Sequence, residues 1–378
     1  MRRVGKSYFL KLIMAHLRAQ GVTEARTIYI DMESLDYDFI HTYHDLNNYI
    51  RKKSKDVSGG ISLFIDEIQE IENWEKCVAS LLGSEKYDIF ISGSNAGLLS
   101  SELATLLSGR YIEFPIYSLG LNEFVQFMGK DEKDAEELFP MFLKFGGFPA
   151  LHHFDLDQEI VYQYISSLYN TILLKDVIKR HKVRNISLLE NITMYAFENI
   201  GNVFSAKKLS DYLKSQRMSL GVETVQNYLS YLCATFALYK VKRYDIKGKR
   251  LLELHEKYFL GDIGLRHALL GYREADIGGI LENIVFLELK RQGYEVFIGK
   301  FGTYEVDFVA TRADEKIYIQ ICYLLASQET VDREFRPLLA IKDNYPKYVV
   351  SMDTLFGKDY QGIRRLNIID FLRAPPSR

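Results

Sequence analysis

The run ISLFIDEIQ (61–69) decides how the rest of the chain is read. It predicts a buried strand whose last apolar residue meets two acids, Asp66 and Glu67. An aspartate at the C-terminal end of a strand can hold Mg²⁺ beside phosphates, and the next glutamate can orient an attacking water. This is the form of a Walker B segment. Sixty residues before Asp66 stands Lys6, in Val4-Gly5-Lys6-Ser7. Those four residues are the second half of a phosphate-binding loop, G-x-x-x-x-G-K-[ST]. The variable positions fall on Met1, Arg2, Arg3 and Val4, so the first glycine, and the strand that should precede it, would lie ahead of residue 1.

Context separates this pairing from an ordinary strand end and a surface lysine. After Ser7, the residues Phe9, Leu10, Leu12, Ile13 and Leu17 follow helical spacing. A phosphate loop must open a helix, because the phosphates sit on the free N–H groups and positive dipole of its N-terminus. Further on, ARTIYIDM (25–32) predicts a strand, HDLNNYIRKK (44–53) a helix, and WEKCVASLL (74–82) a helix. The strand YDIFISGSN (87–95) ends in Ser94 and Asn95, where a γ-phosphate sensor belongs, although Gly93-Ser94-Asn95 is also good turn chemistry. A helix over 96–107 and a strand GRYIEFPIYSL (109–119) complete the series. Its Arg110 is a candidate arginine finger or, equally, an ion-paired surface arginine. Alternation of this kind implies an α/β fold with a doubly wound parallel sheet and ligands at the C-terminal strand ends.

At 378 residues the chain exceeds one ordinary core, so two or three domains are expected. A content of 47% hydrophobic and 26% charged residues is that of a soluble globular protein. The net charge of −2 gives no global attraction to nucleic acid or anionic lipid, so any such attraction must be local. Three widely spaced cysteines, Cys77, Cys233 and Cys322, point to reduced thiols and a cytoplasmic protein. No apolar run approaches the ~20 residues of a membrane helix, and Lys6, Lys11, His16 and Arg18 break up any signal-peptide core.

The segments RRVGKS, FIDEIQEIENWE, ISGSNAGLLSSELATLLSGRYIEFPIYSLGLNEF and FGGFPAL resemble the AAA-type ATPases of the bacterial and archaeal STAND-related group, in which an uncharacterised C-terminal domain follows the ATPase. The similarity spans essentially the whole chain and is most specific from Asp66 to Arg110. It implies ATP and Mg²⁺ binding by Gly5, Lys6, Ser7 and Asp66, with Glu67 as the hydrolytic carboxylate. From their places in the loop and at the strand ends, Val4 and Ser94 are further candidate nucleotide contacts, Ser7 and Asp66 the candidate magnesium ligands, and Asn95 and Arg110 candidate catalytic partners of Glu67. The family's loop commonly reads G-M-R-R-V-G-K-S, so Met1 matches an internal methionine. The sequence as read is expected to begin late or to be a fragment, with a glycine and an apolar strand ahead of Met1.

Beyond residue 120 the composition changes. LNEFVQFM and DEKDAEELFPMFLKF predict helices forming a lid over 121–156, with Gly146-Gly147-Phe148-Pro149 as a hinge or a plain turn. A connector helix over about 157–180 leads to three helices and a hairpin, the shape of a winged helix spanning 157–270. Lys240, Lys242, Arg243, Lys247, Lys249 and Arg250 lie on the wing, and Lys175, Lys179, Arg180, Lys182 and Arg184 cluster before it. Local basic clusters are what DNA phosphates require; a solvated hairpin face or a protein-binding winged helix is the plainer alternative.

The segment 271–378 resembles the core of the PD-(D/E)XK nuclease superfamily: a helix, three strands, a helix and a strand. Glu282 and Asp307 match its first two acids. Gln320-Ile321-Cys322 stands where E-x-K is expected, so the site is read as degenerate, without hydrolysis. The histidines show no zinc spacing. The expected protein is thus an ATP-binding, Mg-dependent ATPase switch with DNA association and an unknown protein partner. The rival is a non-hydrolysing scaffold or DNA-binding module with a vestigial nucleotide site.

Overall fold

Three parallel strands, β1 (Thr27–Asp31), β2 (Ile61–Asp66) and β3 (Tyr87–Ile91), pair in that order, with Ile30 opposite Ile65 and Ile65 opposite Ile91. They belong to a computed structural model that describes residues 1–95, 107, 109–216, 220–354, 357 and 359–374. The chain divides into two compact units, 1–116 and 117–378.

In the first unit, β2 is buried at every residue because it has a neighbour on both edges and apolar side chains on both faces. Helices α1 (Lys6–Ala19), α2 (Tyr43–Lys53) and α3 (Trp74–Leu82) alternate with the strands. α2 starts in a capping box, the Thr42 hydroxyl accepting from Asp45 N while the Asp45 carboxylate accepts from Thr42 N. Leu46 and Ile50 of α2 share a core with Leu63 and Ile65 of β2 and Trp74 and Val78 of α3. Fully burying such a side chain stabilises by about 1.5–3 kcal/mol over leaving it exposed. The packing therefore fixes which strand ends lie side by side.

The strand expected from Arg110 does not form. Residues 110–116 are irregular, and Ile112 and Phe114 are exposed. Alternating apolar residues make a strand only where an edge accepts their ladder; among the described residues none does, and Pro115 lacks the N–H to donate. The helix expected over 96–107 lies outside the described residues apart from Leu107.

The second unit opens with α4 (Leu121–Phe127) and α5 (Ala135–Phe145). After them come α6 (Gln158–Thr171), a π-helical continuation (Ile172–Lys179), α7 (Ile186–Glu198), α8 (Ala206–Ser215) and α9 (Val222–Ala234). The hairpin β4 (Leu238–Asp245) and β5 (Arg250–Leu260) is followed by α10 (Ile263–Leu270) and α11 (Ile277–Arg291). Then come β6 (Glu295–Phe301), β7 (Tyr304–Arg312), β8 (Glu315–Ile321), α12 (Gln328–Ala340) and β9 (Lys347–Ser351). The described chain closes with β10 (Asp359–Tyr360), β11 (Ile363–Asn367) and α13 (Ile368–Arg373). A single eight-stranded sheet runs β10-β11-β9-β8-β7-β6-β4-β5.

Two expectations change here. The hairpin is not a free wing: β4 pairs parallel to β6, Arg243 opposite Ile298, so the winged-helix segment and the C-terminal segment share one sheet across residue 270. Phe259 of β5 stacks on Phe286 of α11 at 4.8 Å and approaches Phe308 of β7 at 5.4 Å. The helices expected as a lid share a core with this unit. Phe124 and Phe142 lie in one apolar cluster with Ile284, Leu287, Phe371 and Leu372. Periodicity reveals an apolar face but not its partner, and these partners lie far along the chain.

Nor is the Gly146-Gly147 step loose. Gly147 N donates to Asp262 Oδ2 at 2.8 Å, and Gly147 O accepts from Leu119 N at 2.7 Å. A Cβ at Gly147 would fall 2.3 Å from Leu119 O. The glycines are there because two backbones touch.

Candidate functional site

Gly5 is the N-cap of α1, with φ 103° and ψ 6°, a left-handed conformation that a side chain would strain. Arg3 also has positive φ, 59°. This local winding turns successive N–H groups toward one side, ahead of the first turn of α1, whose N–H groups have no partner within the helix. Lys6 and Ser7 are the first two residues of α1, and Val4 is buried beneath them in the loop. The Lys6 side chain folds back across the loop. Its Nζ donates to Met1 O at 2.8 Å and lies 3.6 Å from Glu67 Oε1.

Asp66 and Glu67 leave the C-terminal end of β2, both buried. The Ser92 hydroxyl donates to Asp66 Oδ1, and the Tyr29 hydroxyl to Oδ2 at 3.3 Å. Asp66 is therefore aimed by the strands on either side of it. Glu67 sits in the left-handed region, φ 52° and ψ 47°, a conformation costing about 1–3 kcal/mol that the neighbouring structure must hold. Ile68 N bonds to Ser92 O at 3.1 Å and Ser92 N to Ile65 O at 2.9 Å, fixing the turn on both sides. Gln69 Nε2 reaches back to Glu67 Oε2 at 2.5 Å and to Ser94 Oγ at 3.4 Å. Burial pushes the Glu67 carboxyl up, but Lys6, Gln69, Arg2 and Ser94 together outweigh it and leave the group below its usual range.

The structure thus gathers Lys6, Asp66, Glu67 and Ser94 at the C-terminal ends of β2 and β3, with Gly5 and Ser7 flanking Lys6. Asn95 follows Ser94 and is half-buried. Arg110 is exposed, and among the described residues no contact links it to Asp66 or Glu67. Sequence reasoning missed Tyr29, Gln69 and Ser92. The apolar-to-polar switch at the end of β3 could have flagged Ser92; nothing in local spacing marks Tyr29. The donor set suits a nucleotide with its magnesium: an ammonium and helix N–H groups for phosphate, a hydroxyl and a carboxylate as hard oxygen ligands.

In the second unit, Glu282, Asp307 and Gln320 also meet, around a residue that sequence reasoning passed over. Lys257 Nζ of β5 lies 3.1 Å from Glu282 Oε2, 3.0 Å from Glu305 Oε1 and 4.0 Å from Asp307 Oδ1. Asp307 Oδ2 accepts from Ile321 N at 2.7 Å, and Gln320 Nε2 donates to Glu334 Oε2 at 3.0 Å. Cys322 is buried next to this group, and burial pushes its thiol up to about 12. On the hairpin, three of the six basic candidates are already paired: Lys240 with Glu256, Arg243 with Glu305 at 3.3 Å, and Arg250 with Asp245 at 4.0 Å. Lys242, Lys247 and Lys249 are exposed.

A loop lysine at a helix N-terminus facing an acid pair at the end of a parallel strand defines an AAA-type P-loop ATPase domain, and residues 1–125 match the AAA domain family. Residues 136–276 match a domain of unknown function, DUF8612. The chain is 36% identical over 374 residues to an uncharacterized protein of Haemophilus influenzae, covering 98% of this chain and 92% of that one. It is 33% identical over 358 residues to the uncharacterized protein MJ1544 of Methanocaldococcus jannaschii, covering 91% and 78%. It belongs to the family of these two proteins. A solved structure, the Walker-type ATPase PABY2304 of Pyrococcus abyssi, aligns with a TM-score of 0.48 at 15% identity, over 71% of this chain and 89% of that one. Among the described residues no helix is long and apolar enough to cross a membrane.

Proposed function

We propose that the protein is an ATP-binding switch that hydrolyses ATP with Mg²⁺. The observation that carries this reading is the convergence of Lys6, Asp66 and Glu67 at one end of the parallel sheet. The helix N-terminus and Lys6 would hold the phosphates, and Ser7 and Asp66 the magnesium. Magnesium supplies charge neutralisation at the transferred phosphoryl group. Glu67, ionised and held by Gln69, orients the attacking water, and Ser94 and Asn95 would contact the terminal phosphate. Arg110 stays a candidate finger, one that would have to act from an exposed position. The test is phosphate release from ATP with and without Mg²⁺, alongside nucleotide binding. Binding without turnover would favour the rival, a non-hydrolysing scaffold or DNA-binding module.

A second reading rests on the exposed Lys242, Lys247 and Lys249. We infer that the hairpin, following α7, α8 and α9 in winged-helix order, contacts DNA phosphates through these three lysines, since their basic neighbours are committed to carboxylates. The group around Glu282, Asp307 and Gln320 is read as a degenerate nuclease-like site that does not cut.

A further inference from the structure

Three carboxylates, from Glu282 of α11 and from Glu305 and Asp307 of β7, surround the ammonium of Lys257, whose side chain is 4% exposed. The second oxygens of Glu305 and Asp307, and both oxygens of the neighbouring Glu334, have partners of their own. Arg243 NH2 lies 3.3 Å from the second oxygen of Glu305, and Ile321 N donates to the second oxygen of Asp307. Gln320 takes one oxygen of Glu334, while Arg333 Nε donates to the other at 2.8 Å. Gly201 packs beside Glu282, where an added Cβ would stand 3.2 Å from Oε2.

A buried ion of either sign is tolerated only when it is paired and hydrogen-bonded. Burial alone would lower the Lys257 ammonium, but Glu282, Asp307 and Glu305 outweigh it and hold the group above its ordinary value. Burial pushes the Glu282 and Asp307 carboxyls up, and Lys257 offsets only part of this. When ionised, these acids need a cation beside them, and the chain supplies one. A divalent ion would require the same oxygens to close on it at about 2.0–2.6 Å. Among the described residues no group of three His, Cys, Asp or Glu side chains is arranged to hold a metal.

We propose that Lys257 is the resident cation of this carboxylate centre, occupying the place a divalent metal would need, so that the centre takes no divalent ion while Lys257 is present. The ammonium then ties β5, at one edge of the sheet, to α11 and β7, and an apparent metal site becomes a closed ionic joint. What makes the centre inert is an occupant, over and above the missing charge at Gln320.

The experiment counts Mn²⁺ bound by the full chain, without nucleotide, in an Asp66→Asn background that removes the metal-bearing carboxylate of the first unit. This chain should bind no Mn²⁺ that depends on Asp307. Adding Lys257→Met should create one Mn²⁺ site at least tenfold tighter than any in the Asp66→Asn chain, lost again with Asp307→Asn. A folded Lys257→Met chain that gains no site overturns the proposal. So does an Asp66→Asn chain that binds one Mn²⁺ and loses it on Asp307→Asn. Should Lys257→Met fail to fold, the melting temperature of the Asp66→Asn chain with and without Mn²⁺ decides. No shift supports the proposal, and a rise abolished by Asp307→Asn overturns it.

Discussion

Lys6 Nζ stands 3.6 Å from Glu67 Oε1 while donating to the carbonyl of Met1. The ammonium thereby keeps Glu67 ionised despite its burial, and an ionised glutamate is what water orientation needs. Glu67→Gln should keep the fold and bind ATP with Mg²⁺, because the phosphate contacts remain. Turnover should fall at least tenfold, since only an interaction of the transition state is lost. Phosphate release measured beside nucleotide binding checks this; turnover equal to the parent would assign water activation elsewhere. Lys6→Ala should lose nucleotide binding itself.

Gly147 and Leu119 meet backbone to backbone, so Gly147→Ala drives a methyl into a carbonyl that cannot move alone. Forced overpacking of this kind destabilises by about 1–3 kcal/mol. Gly278 of α11 offers the contrast: nothing lies within 4 Å of an added Cβ there, and it stands inside a helix. Gly278→Ala should stabilise by about 0.5–1 kcal/mol. Urea midpoints of the two variants should move in opposite directions.

Helix α10 carries two buried groups with opposed titrations. Burial pushes Asp262 up to about 6, against its bonds from Gly147, Ser118 and Gly264, so the folded chain holds a proton there that the unfolded chain releases above about 4. Its contribution to stability falls as pH rises from about 4 to about 6. Burial, aided by Arg266, pushes His267 down to about 4, so between about 4 and 6.5 the unfolded chain holds the extra proton. That contribution rises with pH and is complete above about 6.5. In the parent the two largely cancel over this window. His267→Leu should leave a chain whose stability, relative to the parent, improves on acidification by up to about 1.4 kcal/mol per pH unit. Asp262→Asn should show the reverse slope. Denaturation at pH 4.5, 5.5 and 6.5, choices that bracket the window of about 4–6.5, measures both.

The convergence of Lys6, Asp66 and Glu67 was legible in the sequence because its parts are local: a lysine opening a helix and two acids ending an apolar strand. Most strands and helices of the second unit were legible for the same reason, each announcing its own period. What was not legible is pairing at a distance. Nothing in FALYKVKRYD says that its neighbour is β6 rather than solvent, and nothing near Gln320 announces that Lys257, far up the chain, sets an ammonium among Glu282, Glu305 and Asp307. Arg110 shows the converse: its segment has strand composition, but among the described residues no edge receives it. Segments 263–270 and 359–373 went unread, the first because its buried Arg266 and His267 break an apolar pattern.

The hairpin supplies the last prediction. If Lys242, Lys247 and Lys249 touch DNA phosphates, each contact releases about 0.9 of a counterion, and binding must weaken steeply as salt rises. Changing all three to Ala should lower the slope of log affinity against log salt by about 2–3. Changing Lys240 and Arg250, already facing Glu256 and Asp245, should lower it less, because those charges have partners within the sheet. Fluorescence anisotropy with a labelled duplex across a salt series distinguishes the two sets. Binding unaffected by the triple change would locate DNA contact elsewhere, and no binding at low salt would remove the DNA reading. Mg²⁺ added to the same mixtures should produce no cleavage; cutting that disappears with Asp307→Ala would show the carboxylate centre to be an active nuclease after all.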